Sequence, residues 1–409
     1  MKKYLIIFMI IIFISLYPHK SYADEIPVIS GEGAIVMDLN SSEILYQKNM
    51  NTPYAPASTT KIMTALLTLE KCNLNDKVIV GKKPPFEDGS KIYLFEGEEI
   101  TVKDLLYALL LNSANDAALA LAEHISGSKE AFALLMNQRA KDLGCKNTNF
   151  VNPNGLYEEN HYTTAYDLSL ITKEALKNKI FNEIIKTQSY VIQPTNKQSE
   201  KRYLHNQNRL IFNPRYKYSG ADGVKTGYTT KSKHTFVGSA TQGDRRIVVV
   251  ILYSKEKVWS DVKKLMDYGF KNYENIKLIS KDEVLTNLSI SNENVPVISS
   301  EDLFVTFPTG KKPVINKQLT LNNNLNSIKK GSIVGYVHIT VNNEKDFKVP
   351  LIASTDANYP ESLFTKSSSV TKNMLIRYKW KFIVFVILFL FLIRGLLIKF
   401  KRYYKILDR

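Results

Sequence analysis

The hydrophobic pattern changes period twice between residues 33 and 268, and this confines the fold more than any other feature. Two short extended runs come first, Ala34-Ile35-Val36-Met37 and Ile44-Leu45-Tyr46, separated by Asp38, Asn40 and Ser41 in the manner of a hairpin. Helical spacing follows: Ile62, Met63, Leu66 and Leu67 recur from a Ser58-Thr59 start to Asn73. Leu105, Leu106, Leu109 and Leu110 recur after Thr101, with Asp104 at the capping-box position. Asn112-Ser113-Ala114-Asn115 interrupts that helix, and an alanine-rich one then runs to Gly127. Helical patterns also cover Lys129 to Leu143 and Thr164 to Leu176. From Gly220 to Tyr253 the pattern reads as antiparallel strands, around Gly223 to Gly227, Thr235 to Ser239 and Arg246 to Leu252, with Gly243-Asp244 at a turn. A helix from Val258 to Tyr268 closes the segment. Strands at both ends with helices between them predict one α+β domain whose sheet is completed late.

The 409 residues are more than that domain needs. From about Tyr273 to Asp356 short alternating runs, such as Leu303 to Phe307 and Ile333 to Val341, predict a separate small all-β domain. Ser- and Thr-rich residues then suggest a linker.

Net charge is +16, which by itself would suit a nucleic-acid binder. Its distribution argues otherwise. Residues 1–23 hold +3 and residues 371–409 hold +9, leaving +4 for the 347 residues between. Both basic ends flank apolar runs, a placement that orients membrane insertion, so no nucleic-acid partner is expected. Lys2 and Lys3, the run Leu5 to Leu16 and Ser21-Tyr22-Ala23 form a secretory signal pattern over 1–23, an uncleaved anchor being the alternative. Near the other end Phe382 to Ile393 is unbroken and apolar all round, and it continues past Arg394 to Ile398. That is about 25 Å of helix, enough to span if Arg394 snorkels. Lys399, Lys401, Arg402 and Lys405 after it favour a cytoplasmic C-terminus, with an interfacial helix as the alternative. The expected organisation is a signal peptide (1–23), the α+β domain (24–272), the β domain (273–356), a linker (357–381), a transmembrane anchor (382–398) and a basic cytoplasmic tail (399–409).

Cys72 and Cys145 are too few for a disulfide scaffold and form no C-x-x-C pair; free buried thiols are the better reading. The six histidines are scattered and form no H-E-x-x-H, so no metal is implied, and the sequence points to no cofactor.

Three short motifs carry chemistry. Ser58-Thr59-Thr60-Lys61 sets a hydroxyl and an amine one helical turn apart at a helix start. Alone this is weak, since serine there is usually a cap. Its chemical sense is specific, because serine needs a base to become a nucleophile and a lysine of depressed pKa can serve. Ser113-Ala114-Asn115 joins a hydroxyl able to relay a proton with an amide able to hold a substrate carbonyl. Lys225-Thr226-Gly227 on a predicted strand offers a cation and a hydroxyl for an anionic substrate end, beside a glycine where a side chain would obstruct it. The three in this order form the motif set of penicillin-binding proteins and class A β-lactamases.

The chain resembles the low-molecular-mass penicillin-binding proteins of the D-alanyl-D-alanine carboxypeptidase type. Beyond the motifs, the matching stretches are Tyr54-Ala55-Pro56-Ala57, Phe150 to Leu156, Thr164-Ala165-Tyr166-Asp167-Leu168, Asn206-Gln207-Asn208-Arg209-Leu210 and Gly220 to Val224. The likeness covers roughly residues 28 to 270 and extends more faintly into the β domain. It implies a β-lactamase/transpeptidase-like catalytic domain, with a five-stranded antiparallel sheet flanked by helices and a helical subdomain beside it. It also implies roles. Ser58 would attack the carbonyl between two terminal D-alanines of a peptidoglycan stem peptide, and Lys61 would take its proton. Ser113 would assist transfer and Asn115 would hold substrate, while Lys225 and Thr226 would receive the terminal carboxylate beside Gly227. The backbone N–H groups of Ser58 and Tyr228 would form the oxyanion hole. Water would release the acyl-enzyme, and β-lactam antibiotics would acylate the same serine. Two departures stand out: Ser232-Lys233 replaces a usual Ala-Gly pair, and Asn154 stands where histidine is frequent.

Three alternatives remain at this level. A class A β-lactamase would need a deacylating glutamate in an E-x-x-L-N context, which is absent. An endopeptidase or transpeptidase differs only in the acceptor. A non-catalytic penicillin-sensing or wall-binding homologue would have lost Ser58, Lys61 or Lys225, and none is lost.

Overall fold

The computed structural model describes residues 26–290, 293–322, 327–358, 379 and 381–399. The expected signal peptide, most of the linker and the tail beyond Lys399 lie outside the described residues. The chain forms two compact units: one runs up to Leu278 and takes in Leu303–Pro313, and the other comprises Ile279–Asp302 and the chain from Val314.

In the first unit, strands β1 (Gly31–Asp38), β2 (Ile44–Lys48), β3 (Ala221–Thr229), β4 (Lys233–Gln242) and β5 (Arg245–Ser254) make one antiparallel sheet in the order β2-β1-β5-β4-β3. The late strands thus insert beside the first, as the pattern of periods predicts. Side-chain alternation divides the sheet between two cores. Ile35, Met37, Val248, Val250 and Leu252 face a helical layer, while Ala34, Val36, Ile247, Val249 and Ile251 face Val262, Leu265 and Met266 of a single helix. Burial on both faces is why β5 reads as a continuous Ile/Val run.

The helical layer is built from α1 (Lys61–Lys71), α2 (Val102–Leu111), α3 (Asn115–Ser126), α4 (Lys129–Asp142), α5 (Ala165–Ala175) and α6 (Lys179–Lys186); α7 (Val258–Asn272) covers the opposite face. Caps set several starts. Thr101 accepts from the Asp104 amide and donates to its carboxylate at 2.6 Å, and Thr164 accepts from the Asp167 amide at 3.0 Å. Helix α6, the short pairing of Lys77–Ile79 with Glu99–Thr101 and that of Ser189–Ile192 with Arg202–His205 do not show in the sequence pattern.

Strand Leu303–Pro308 pairs with Tyr273–Ile279. The Thr306 hydroxyl donates to Asn275 at 2.7 Å, and Asn275 in turn donates to Asp38, whose buried carboxylate accepts from Arg245 Nε at 2.7 Å. The second unit is a five-stranded antiparallel sheet of β6 (Val284–Ile290), β7 (Glu293–Ser299), β8 (Ile315–Leu321), β9 (Ile333–Val341) and β10 (Lys345–Ala353), ordered β6-β7-β10-β9-β8. Val337, Ile339 and Val341 are buried while His338 between them is exposed, the alternation of a half-buried sheet. The expected α+β catalytic fold and all-β domain are both present. Helix Lys381–Lys399 is long and apolar enough to cross a membrane, and its side chains are exposed along its length.

Candidate active site

Ser58 lies on a single 3-10 turn, Ala57–Thr60, and α1 begins at Lys61. The turn is tightly held. Thr59 Oγ1 and Thr235 Oγ1 both donate to the Pro56 carbonyl, at 2.6 and 2.8 Å, and Ala57 is forced to φ +48°. Positive φ at a residue with a side chain is strain of the kind found at functional sites. Two neighbours approach only because they are glycines. A Cβ on Gly155 (φ +88°) would lie 1.8 Å from the Ala57 carbonyl oxygen, and one on Gly227 would lie 2.8 Å from the Ser58 nitrogen. Gly227 therefore keeps the space beside that amide open.

Lys61 is wholly buried, and its Nζ meets three oxygens: Ser58 Oγ at 3.0 Å, Asn115 Oδ1 at 2.6 Å and the Asn154 carbonyl at 2.6 Å. The arrangement suits two protonation states. An ammonium satisfies all three oxygens; a neutral amine gives its two protons to Asn115 and Asn154 and turns its lone pair to the serine hydroxyl. Burial, with the charge of Lys225 second, drives the Lys61 pKa well below the ordinary lysine value, while Asp116 and Glu87 oppose this. Lys225 is also buried, donates to the Thr226 carbonyl at 2.9 Å, and is pushed by burial down to about 7.

The break between α2 and α3 brings Ser113 and Asn115 to the same place. Ser113 takes φ +60°, and Asn115 Nδ2 donates to the Asp88 carbonyl while its backbone N–H donates to the Ser90 carbonyl, both at 2.6 Å. One residue thus straps a loop to the site and orients the lysine. Ser58, Ser113, Thr226, Gly227 and Tyr228 line one cleft of about 570 Å³, with Ser90, Gln207, Arg209, Phe212, His234 and Trp259. All eight residues expected from the sequence are brought together: five line the cleft, Lys61 and Lys225 lie buried behind it, and Asn115 holds Lys61.

The structure also accounts for the two departures. Asn154 offers its carbonyl to Lys61, which leaves its side chain free to brace the surrounding loops. There Nδ2 donates to Glu87 at 2.5 Å and Oδ1 accepts from the Leu156 amide. Ser232 is buried in the β3–β4 turn, where its amide and hydroxyl both meet Thr229 Oγ1, and Lys233 takes φ +55°, the conformation a glycine would adopt without strain. His161, one of the scattered histidines, is buried behind the serine turn. Its Nδ1 accepts from the Val151 amide, so Nε2 carries the proton and donates to Thr60 Oγ1 at 2.8 Å. Burial, aided by the Lys61 charge, pushes its pKa down to about 3, so it stays neutral. Cys72 and Cys145 are free and half-buried.

Residues 20–256 match the family described as D-alanyl-D-alanine carboxypeptidase, and residues 273–359 match the C-terminal domain of penicillin-binding protein 5. The chain belongs to the D-alanyl-D-alanine carboxypeptidase family. It is 35% identical over 339 residues to the D-alanyl-D-alanine carboxypeptidase DacF of Bacillus subtilis, covering 80% of this chain and 85% of the relative. Identity to DacC of Escherichia coli is 31% over 351 residues, 80% and 84% of the two chains. The solved penicillin binding protein 5 of Haemophilus influenzae superposes with a TM-score of 0.67 at 29% identity, over 81% of this chain and 98% of that one. Within this carboxypeptidase fold, the residues that sequence motifs did not indicate are Asn154, whose backbone rather than side chain serves Lys61, and Asp88 with Ser90, which carry carbonyls that hold Asn115.

Proposed function

We propose that this chain is a serine-type D-alanyl-D-alanine carboxypeptidase that removes the terminal D-alanine of peptidoglycan stem peptides through a Ser58 acyl-enzyme and is acylated by β-lactams. The observation that carries this reading is the 3.0 Å contact of a buried Lys61 Nζ with Ser58 Oγ. Neutral Lys61 takes the serine proton as Oγ attacks the carbonyl between the two D-alanines, and the N–H groups of Ser58 and Tyr228 receive the developing oxyanion. The proton then passes by way of Ser113 to the departing amine, and the C–N bond breaks. Lys225 and Thr226 hold the terminal carboxylate, Gly227 keeps the approach open, and Asn115 orients both Lys61 and the substrate amide. Water attacks the ester with Lys61 again as base, restoring Ser58. The retention of all these groups disfavours the non-catalytic alternative.

The same reading assigns export to residues 1–23, catalysis to 24–272, a β domain to 273–356, a linker to 357–381, a membrane anchor to 382–398 and a cytoplasmic tail to 399–409, with the catalytic domain on the outer face. The apolar helix Lys381–Lys399 supports the anchor. The deciding experiment is release of D-alanine from a peptide ending in D-Ala-D-Ala, with Ser58→Ala as control. Release that survives the substitution, or penicillin labelling that survives it, would move the nucleophile elsewhere.

A further inference from the structure

The catalytic cleft does not end at Arg209, His234 and Trp259. These three residues also line a second, larger concavity of about 810 Å³, whose remaining wall comes from the segment around Tyr216 and the start of α7. Five of its lining residues are cations, Arg209, Arg215, Lys257, Lys263 and Lys264, and no carboxylate lines it. Among the described residues none of the five forms an ion pair. Lysines on an outer helix face are commonly just solvated. Here the arrangement is more specific, because the guanidinium of Arg209 lies 5.6 Å from the Trp259 ring centre and 5.9 Å from that of Tyr216, and Arg215 lies 5.4 Å from the same tyrosine ring. Both guanidiniums thus lie within cation–π range of aromatic rings, and among the described residues neither has an ion-paired carboxylate, so their N–H groups can meet a forked acceptor.

We propose that this concavity is an anion subsite of the enzyme, taking the carboxylates of an acidic peptide segment joined to the chain whose D-Ala-D-Ala end occupies the cleft. The inference rests on the carboxypeptidase reading of that cleft. A cavity of this volume accommodates a multi-residue segment, far more than one departing D-alanine requires. A peptide is favoured over a phosphate polymer because the two cavities share a wall. A segment covalently continuous with the bound substrate enters the second at high effective concentration, without an independent binding event. The consequence is selectivity for acidic, extended or cross-linked peptides over short neutral ones.

The test compares the full chain with an Arg215→Gln/Lys264→Gln variant, two positions outside the catalytic cleft. Two peptides ending in D-Ala-D-Ala are used, one otherwise uncharged and one with two added carboxylates on a flexible extension. The wild type is expected to favour the acidic peptide about tenfold in kcat/KM, through KM, from two part-exposed ion pairs. That preference should vanish in the variant and in roughly 0.5 M salt, while the neutral peptide and penicillin acylation are unchanged. Equal preference in both proteins overturns the subsite. Equilibrium binding of both peptides to the Ser58→Ala protein is measured in parallel, so that absence of D-alanine release would count against the carboxypeptidase reading alone and the subsite would still be decided. Tight binding of inorganic polyphosphate with none of the acidic peptide would assign the cavity to a phosphate polymer and overturn the proposal.

Discussion

Lys225 should be a stability liability that recognition of a carboxylate requires, and Lys225→Met exposes both sides. Burial pushes its pKa from the ordinary 10.5 down to about 7. At 1.36 kcal/mol per pH unit that fall corresponds to about 5 kcal/mol of destabilisation wherever both folded and unfolded states are protonated, below pH 7. Between pH 7 and 10.5 the unfolded chain binds the extra proton, so wild-type stability rises with pH and the penalty shrinks, to about 1 kcal/mol at pH 9.5. Methionine has a similar length and no charge, but it leaves the Thr226 carbonyl without its donor, a loss of about 1 kcal/mol. The variant should therefore be about 3–4 kcal/mol more stable at pH 6 and nearly equal to wild type at pH 9.5. Urea denaturation of the two proteins at pH 6, 7.5 and 9.5 measures this directly. D-alanine release should fall through a raised KM, and amidating the substrate terminus should cost the variant little. A variant less stable than wild type at pH 6, or a difference that does not narrow with rising pH, would refute the reasoning.

Three further outcomes follow from single contacts. Gly227→Ala would put a methyl 2.8 Å from the Ser58 nitrogen and 2.4 Å from Thr235 Oγ1, so penicillin acylation should slow at least about 100-fold, the effect of losing one oxyanion donor; near-normal labelling would mean that the strand yields. Glu98 is fully buried; burial alone would raise its pKa, but Arg202, the Phe95 amide and Thr195 hold it below the usual range. Its contribution is therefore present above that range and lost as pH falls through the folded pKa, and Glu98→Gln, which leaves Arg202 uncompensated, should cost about 3 kcal/mol in urea denaturation at pH 7; a loss under about 1 kcal/mol would show the pair to be dispensable. Lys233→Gly should relieve the φ +55° strain and, after the added chain entropy, stabilise by about 0.5 kcal/mol without changing acylation, whereas a loss of stability would mean that the lysine side chain contributes packing.

The motifs and the order of periods made the sheet, its helical layer and the eight residues that the fold gathers around one cleft legible, because each depends on local spacing. What stayed hidden depends on distant backbone. The Asn154 carbonyl reaches Lys61 across 93 positions, and backbone acceptors leave no mark on residue type. The three-residue strands Lys77–Ile79 and Glu99–Thr101 are too short for a period to register, and the Glu98–Arg202 pair spans 104 positions. Ala57 and Ser113 at positive φ could not be anticipated, since neither is a residue type that favours it. The wall shared by the two cavities is likewise a product of folding, drawing Arg209, His234 and Trp259 from three separate stretches.

Under the proposed mechanism the two buried lysines of the site face opposite demands, since Lys61 would have to lose its proton to act and Lys225 to keep its own to hold a carboxylate. In the empty site burial lowers both, and the charge of Lys225 lowers Lys61 further. A docking carboxylate changes this balance. It fixes Lys225 in the charged form and offsets the field that Lys225 exerts on Lys61, so Lys61 becomes a stronger base as the scissile carbonyl arrives. Because Lys61 is neutral in the bound ground state and carries the serine proton in the transition state, the offset field stabilises the transition state more than the bound complex, which is the condition for binding energy to raise turnover. A substrate lacking that carboxylate loses both its anchor and the adjustment of the base, so its handicap should appear in kcat as well as in KM.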